Sequence, residues 1–276
     1  MVNGGVDFGV EVLQLMPSVE QVARYFGGPG YAPEADARRR IEDGIRQALD
    51  LIEPAAALAH HEVVEVTGDG VIHLAKGISL DLPESSCETP LRSAWQDGMG
   101  PCQGLDLGRT QLSLGIARKR RRPPVDSAGA NPGQEVKMIA VAIGTLGGGL
   151  EDRCRALARR REIYQATLLD AVGSAMVDIL GVWLWLVLVE QAKGRGLFLG
   201  RRFSPGLDGY PLDRQQLLFH LLSNGTAGVR LNPAWVMEPV KSISFFGLLA
   251  TVENGDPHLD KCQACRMAHC QYRLMH

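Results

Sequence analysis

The stretch Arg202-Phe203-Ser204-Pro205-Gly206-Leu207-Asp208-Gly209-Tyr210-Pro211-Leu212 brings together groups that bind a small polar molecule. A guanidinium grips a carboxylate through paired hydrogen bonds. Two glycines leave backbone amides and carbonyls open to polar edges, and Ser204 adds a hydroxyl. The Tyr210 ring offers a face to a cation or an adenine. The set suits a small zwitterionic ligand.

A second chemical pattern lies at the C-terminus. Cys262-Gln-Ala-Cys265-Arg-Met-Ala-His-Cys270 has Cys-x2-Cys-x4-Cys spacing. Two thiolates separated by two residues can chelate one metal centre, and a third returns by a short turn. Both iron–sulfur clusters and zinc use such spacings, normally with four ligands. The fourth is open: His269, a distant Cys87, Cys102 or Cys154, or an exogenous group. His258 and His276 are further candidates. Met1 to Gly9 carries neither a basic nor an apolar leader pattern, so a cytoplasmic compartment is expected. Thiols stay reduced there, and clustered cysteines read as metal ligands more readily than as disulfides.

A third stretch, Gly144-Thr145-Leu146-Gly147-Gly148-Gly149, follows an apolar run and precedes a helical pattern. It lacks the Gly-x-Gly-x-x-Gly spacing of a dinucleotide loop and the lysine of a nucleotide loop. It reads as a tight strand-to-helix turn.

Bulk composition narrows the partners. Lys+Arg number 29 against 31 Asp+Glu, a net charge of -2, so charge gives no support to a nucleic-acid partner. Hydrophobic residues at 45% and charged residues at 22% are those of a globular chain. The basic run at Arg118–Arg122 opens a proline-bearing loop, near 118–134, expected to be mobile and solvated. Ala171 to Val189 is apolar apart from Ser174 and Asp178. An acid at mid-span and the Gly173-Ser174 break favour a helix buried in the domain over a membrane span.

The elements that must position these groups follow from periodicity. Val10–Leu15 has strand character. Ser18 with Gln21 forms a capping box for a short helix to Phe26. A long helix from Pro33 to Glu53 buries Ile41, Ile45, Ala48, Leu49 and Ile52. Strands His61–Thr67 and Val71–Ala75 flank a Gly68-Asp69-Gly70 turn, and Thr110–Ala117 alternates like a third strand. Val136–Ile143 is a buried strand, followed by helices at Leu150–Arg161 and Tyr164–Ala192. A helix at Leu212–Leu222 and strands at Ala227–Leu231 and Ser242–Leu249 complete the chain. The order lacks a βαβ rhythm, so the expected class is α+β: a twisted, mainly antiparallel sheet flanked by helices. Residues 1–254 read as one such domain and 255–276 as a cysteine-rich tail.

The motifs occur in an order that resembles the activation domain of cobalamin-dependent methionine synthase, especially its stand-alone relatives. Arg202 to Leu212 is similar to the family's Arg-Phe-Ser-Pro-Gly-Tyr-Gly-Asp-Trp-Pro-Leu loop. Gly228-Val229-Arg230-Leu231-Asn232, Met237-Glu238-Pro239 and Lys241-Ser242-Ile243-Ser244 resemble its downstream runs. Ala142-Ile143-Gly144 and Leu169-Asp170-Ala171-Val172-Gly173-Ser174-Ala175 resemble its upstream turn and helix. The similarity spans about residues 20–250, and the stretch from 80 to 134 is poorly matched. Cys270-Gln271-Tyr272-Arg273 is similar to the tail of some relatives.

The resemblance implies a twisted antiparallel fold that binds S-adenosylmethionine. It implies docking on a partner that carries cobalamin, either a corrinoid-binding protein or a cobalamin-dependent methyltransferase. An electron and a methyl group would there restore the inactive cobalt. It assigns Arg202 to the ligand's carboxylate, and Ser204, Pro205 and Gly206 to the backbone beneath the ligand. Leu207 stands where the family has tyrosine, and Tyr210 stands at its tryptophan position. Asp170 is the nearest match to the acid that faces the ligand's amine, with Asp178 as the alternative. A cluster at Cys262, Cys265 and Cys270 would bring in the electron from a donor. This chain has no Asp-x-His-x-x-Gly motif, so cobalamin is expected only on the partner. The rival readings are a docking module without ligand and a metal-cluster electron carrier.

Overall fold

The computed structural model describes residues 6–28, 30–66, 71–75, 77–81, 136–200, 202–207, 210–222 and 225–251. The Gly68-Asp69-Gly70 turn, the Thr110–Ala117 strand, the basic loop and the cysteines at 87, 102, 262, 265 and 270 lie outside these residues.

The chain opens with β1 (Val6–Gly9) and a 3-10 turn at Val12–Leu15, so the strand lies just before the expected stretch. Helix α1 (Val19–Gly27) starts at the capping box: Gln21 N donates to Ser18 Oγ at 3.2 Å, and Ser18 N donates to Gln21 Oε1 at 2.7 Å. Helix α2 (Ala35–Leu49) buries Ile41, Ile45 and Ala48, as the spacing predicts. Pro54 falls in the link to β2 (Ala55–Val66). Then come β3 (Val71–Leu74), β4 (Ser79–Asp81) and β5 (Val136–Thr145). Helices α3 (Gly149–Arg159) and α4 (Ile163–Lys193) lead to β6 (Phe198–Leu199) and α5 (Gln215–Leu221). A small hairpin, β7 (Arg230–Leu231) with β8 (Met237–Glu238), precedes β9 (Ser242–Ala250).

Strands run in the order β4-β3-β2-β5-β9-β6, with β1 also on β2, and every described pairing is antiparallel. The fold is therefore α+β, as the sequence implies. The sheet separates two cores. Ala56, Leu58, Ala140, Ala142, Phe245 and Leu249 face α4. Ala57, Ile139, Val141, Ile143, Phe246 and Leu248 face α5 and the loop before it. Side chains on a strand alternate between faces, so adjacent residues of β9 serve opposite cores.

By length and composition α4 could cross a membrane. Here it lies across the sheet, with α1, α2 and α3 packed against it. Leu180, Leu184 and Leu188 are fully buried, while Val182 and Leu186 face outward. The glycine-rich turn serves packing. Gly147 has φ +77°, a left-handed conformation open to glycine at little cost. Its N–H donates to Thr145 Oγ1 at 3.1 Å.

His60 lies on the same face of β2 as Ala56 and Leu58 and is 7% exposed. Burial above all, then the charges of Arg195 and His61, lowers its pKa from 6.5 to about 4. The neutral imidazole is thus the native form. Its contribution to stability is complete above pH 6.5 and is lost as pH falls towards about 4, by about 3 kcal/mol in total. Urea unfolding of the wild type and of His60→Gln across that range checks it. The wild type is expected to lose more stability than the variant as pH falls.

Candidate functional site

The chain reaches the site along the edge of the sheet. Phe198 and Leu199 pair with Ala250 and Leu249, and Gly200 N donates to Leu248 O at 2.8 Å. Phe203 and Phe246 then exchange backbone hydrogen bonds of 2.9 Å each. The segment is a ragged extension of the edge strand, and its side chains alternate accordingly. Phe203 stacks on Phe246 on the α5 side, ring centroids 5.4 Å apart. Arg202 lies on the α4 side, its guanidinium 5.1 Å from the centre of the Phe245 ring.

Beyond Phe203 the backbone closes on itself. Leu207 N donates to Ser204 O at 3.1 Å, Gly206 N to Tyr210 O at 2.7 Å, and Tyr210 N to Leu207 O at 2.9 Å. Gly206 takes φ +83°, which explains a glycine there. Ser204 and Pro205 are buried, and Leu207 is 55% exposed. The Tyr210 ring is 4% exposed and meets Phe246 edge-on at 5.9 Å. Its aromatic face is therefore committed to the second core. The far end of the loop is anchored where Ser244 Oγ donates to Gln215 Oε1 at 3.1 Å, both side chains buried.

Arg202 rests against α4 at Gly181. A Cβ there would stand 2.7 Å from Arg202 Nη1 and 2.6 Å from Ile243 Cδ1. Asp178 lies three residues before Gly181, about 4.5 Å along the helix axis. Its carboxylate accepts a hydrogen bond from the Tyr25 hydroxyl of α1. Asp170 lies eleven residues before Gly181, a rise of about 16 Å. There it pairs with Lys241 Nζ at 2.7 Å. Lys241 Nζ also donates to Ser174 Oγ at 2.9 Å, and Lys241 N to Glu151 Oε1 at 2.9 Å. The fold thus sets Asp178 within about one turn of Gly181, on which Arg202 rests, and pairs Asp170 with Lys241 further back along α4.

Of the cysteines considered as metal ligands, Cys154 is described, half-buried on α3. Burial and then Asp170 push its thiol pKa up, which disfavours the ligating thiolate. Among the described residues, no group of three or more His, Cys, Asp or Glu side chains is placed to hold a metal. A separate cavity of about 550 Å³ opens at the start of α3, lined by Glu151, Arg155, Arg230 and Glu238 among others. It does not include Arg202.

No protein-family model and no curated protein matches the sequence. Solved structures do match, among them the MetH reactivation domain bound to AdoHcy. The similarity has a TM-score of 0.59 and covers 89% of this chain and 78% of that chain, at 14% sequence identity. The chain has the fold of the MetH reactivation domain. The likeness read from the motifs is borne out at that level. Within this reactivation fold, the sequence had singled out Arg202 and the Ser204–Gly206 turn. It had not singled out Gly181 or Tyr25. The available signal was a repeat on α4, Asp170-x2-Gly173 and Asp178-x2-Gly181, eight residues apart inside an apolar helix.

Proposed function

We propose that this chain binds S-adenosylmethionine and supports reductive remethylation of a corrinoid held by a partner protein. The reading rests on one observation above others. Arg202 rests on α4 at Gly181, and Asp178 stands about one turn before that glycine, in a fold whose solved example, the MetH reactivation domain, holds AdoHcy. A carboxylate can take two hydrogen bonds from the Arg202 guanidinium, and an ammonium can approach Asp178. The two ends of an amino-acid moiety match that arrangement in charge. Asp170 is a poorer amine site because Lys241 already neutralises it.

The sulfonium methyl is the electrophile that the bound ligand supplies. This chain's part is to hold the ligand by its amino-acid end and aim the methyl outward, so that positioning supplies the rate advantage. The Ser204–Gly206 turn carries the backbone along the ligand. The Cys262, Cys265 and Cys270 set, as an iron–sulfur cluster, would pass on the electron that returns the partner's cobalt to its nucleophilic state. Zinc in that set would leave the electron to an outside donor.

The test is methyl transfer. Labelled S-adenosylmethionine, a corrinoid protein with oxidised cobalt and a low-potential reductant are mixed with and without this chain. Label on the corrinoid that depends on the chain is expected. Ligand binding without transfer contradicts the remethylation role, and loss of both favours a docking module.

Leu207 supplies a second prediction. Its side chain is 55% exposed, so a larger residue fits without disturbing the core. Leu207→Tyr restores the ring found in the family's loop. It is expected to tighten S-adenosylhomocysteine binding by about fivefold, roughly 1 kcal/mol of aromatic contact. Calorimetric titration beside a thermal melt checks both the gain and the unchanged fold.

A further inference from the structure

Helix α4 contains two interior glycines that meet a cationic side chain. At Gly173 an added Cβ would lie 3.1 Å from Lys241 Cε and 3.3 Å from Lys241 Cδ. At Gly181 it would lie 2.7 Å from Arg202 Nη1. An aspartate stands three residues before each glycine. The first notch is closed internally: the Lys241 ammonium sits on Asp170 at 2.7 Å. In the second, Asp178 takes its hydrogen bond from Tyr25. Glycine is a poor residue for the interior of a helix, and alanine is a better one. A glycine at position 181 therefore calls for a steric reason, and the Arg202 guanidinium at 2.7 Å together with the Ile243 methyl group at 2.6 Å provides it.

We propose that Gly181 is a positioning residue for Arg202. Its missing side chain leaves the seat that the guanidinium occupies against α4, with Cζ 5.1 Å from the centre of the Phe245 ring and the tip of Ile243 at the same notch. The consequence for ligand binding rests on the S-adenosylmethionine reading above; the seat itself does not. In Gly181→Ala the new methyl group claims the space of Nη1. Arg202 ends in a flexible chain, so it yields while the helix stays intact. The guanidinium then leaves the place from which it faces a carboxylate.

The experiment compares wild type, Gly181→Ala, Arg202→Ala and the double variant. The first readout is the dissociation constant for S-adenosylhomocysteine by calorimetry. The second, without ligand, is the rate at which phenylglyoxal labels Arg202, followed by peptide mass spectrometry. Circular dichroism melts confirm that each variant folds. Gly181→Ala is expected to stay folded, with the tip of Ile243 also giving way, to bind at least about tenfold more weakly, and to label Arg202 at least about threefold faster. The double variant is expected to bind within about twofold of Arg202→Ala, because both changes remove one interaction. Wild-type affinity in Gly181→Ala overturns the proposal, and so does an additive loss in the double variant. An unchanged labelling rate overturns the seat even where wild type binds no ligand. Absence of wild-type binding with faster labelling instead overturns the S-adenosylmethionine reading and leaves the seat standing.

Discussion

Arg202→Ala is expected to weaken S-adenosylhomocysteine binding by about 100-fold, close to 3 kcal/mol for a charge-assisted paired hydrogen bond. The fold is expected to survive. Phe203, the next residue, carries the backbone bonds to Phe246, and those bonds do not depend on the arginine side chain. Arg202→Lys keeps the charge but loses the planar fork, so it is expected to recover only part of the affinity. Titration of the three proteins, with melts as controls, checks this. Equal affinity in all three would show that the ligand's carboxylate lies elsewhere. The loss belongs to the site and not to the core, because Arg202 is only partly buried.

Gly149→Ala is expected to act on stability instead. A Cβ at Gly149 would lie 2.2 Å from the carbonyl oxygen of Leu51. That atom is backbone, so no side-chain rotation relieves the clash. The turn is also fixed on both sides: Glu53 N donates to Leu146 O and Leu146 N donates to Lys241 O, each at 2.9 Å. The α2–β2 link, the β5–α3 turn and the start of β9 must therefore shift together. A loss of about 4 kcal/mol is expected, the range of the most damaging single substitutions. Gly148→Ala is the control. An added Cβ there meets nothing within 4 Å, and the backbone is right-handed. Its effect is expected within about 0.5 kcal/mol. Urea unfolding of both variants separates them. Similar effects in the two would contradict the packing role of this turn.

Much of the fold is written in local pattern. The Ser18 capping box forms as its spacing predicts, and Ile41, Ile45 and Ala48 of the α2 stripe and the apolar strands β5 and β9 are buried, while α2 ends at Leu49, half-buried, before reaching Ile52. The first half of β2 is less legible. Ala55-Ala-Ala-Leu-Ala59 has low intrinsic strand preference, and its state is set by β1 on one side and β5 on the other. Two-residue strands such as β6 and β8 exist only through their partners. The site divides in the same way. Arg202 and the Ser204–Gly206 turn are legible because residue type and spacing carry the chemistry. Tyr210 has a suitable ring, yet its direction follows from Phe246 across the sheet. The choice between Asp170 and Asp178 depends on where Lys241 lands, sixty-seven residues beyond Ser174. No helical periodicity carries that information.

We propose that this chain binds the S-adenosyl ligand through Arg202. The most direct measurement is an isothermal titration of the full chain with S-adenosylhomocysteine, repeated with Arg202→Ala. One-site binding by the wild type, with loss of about 100-fold in the variant, is the predicted result. A wild type that binds nothing at millimolar ligand, or a variant that binds as well as the wild type, would contradict it.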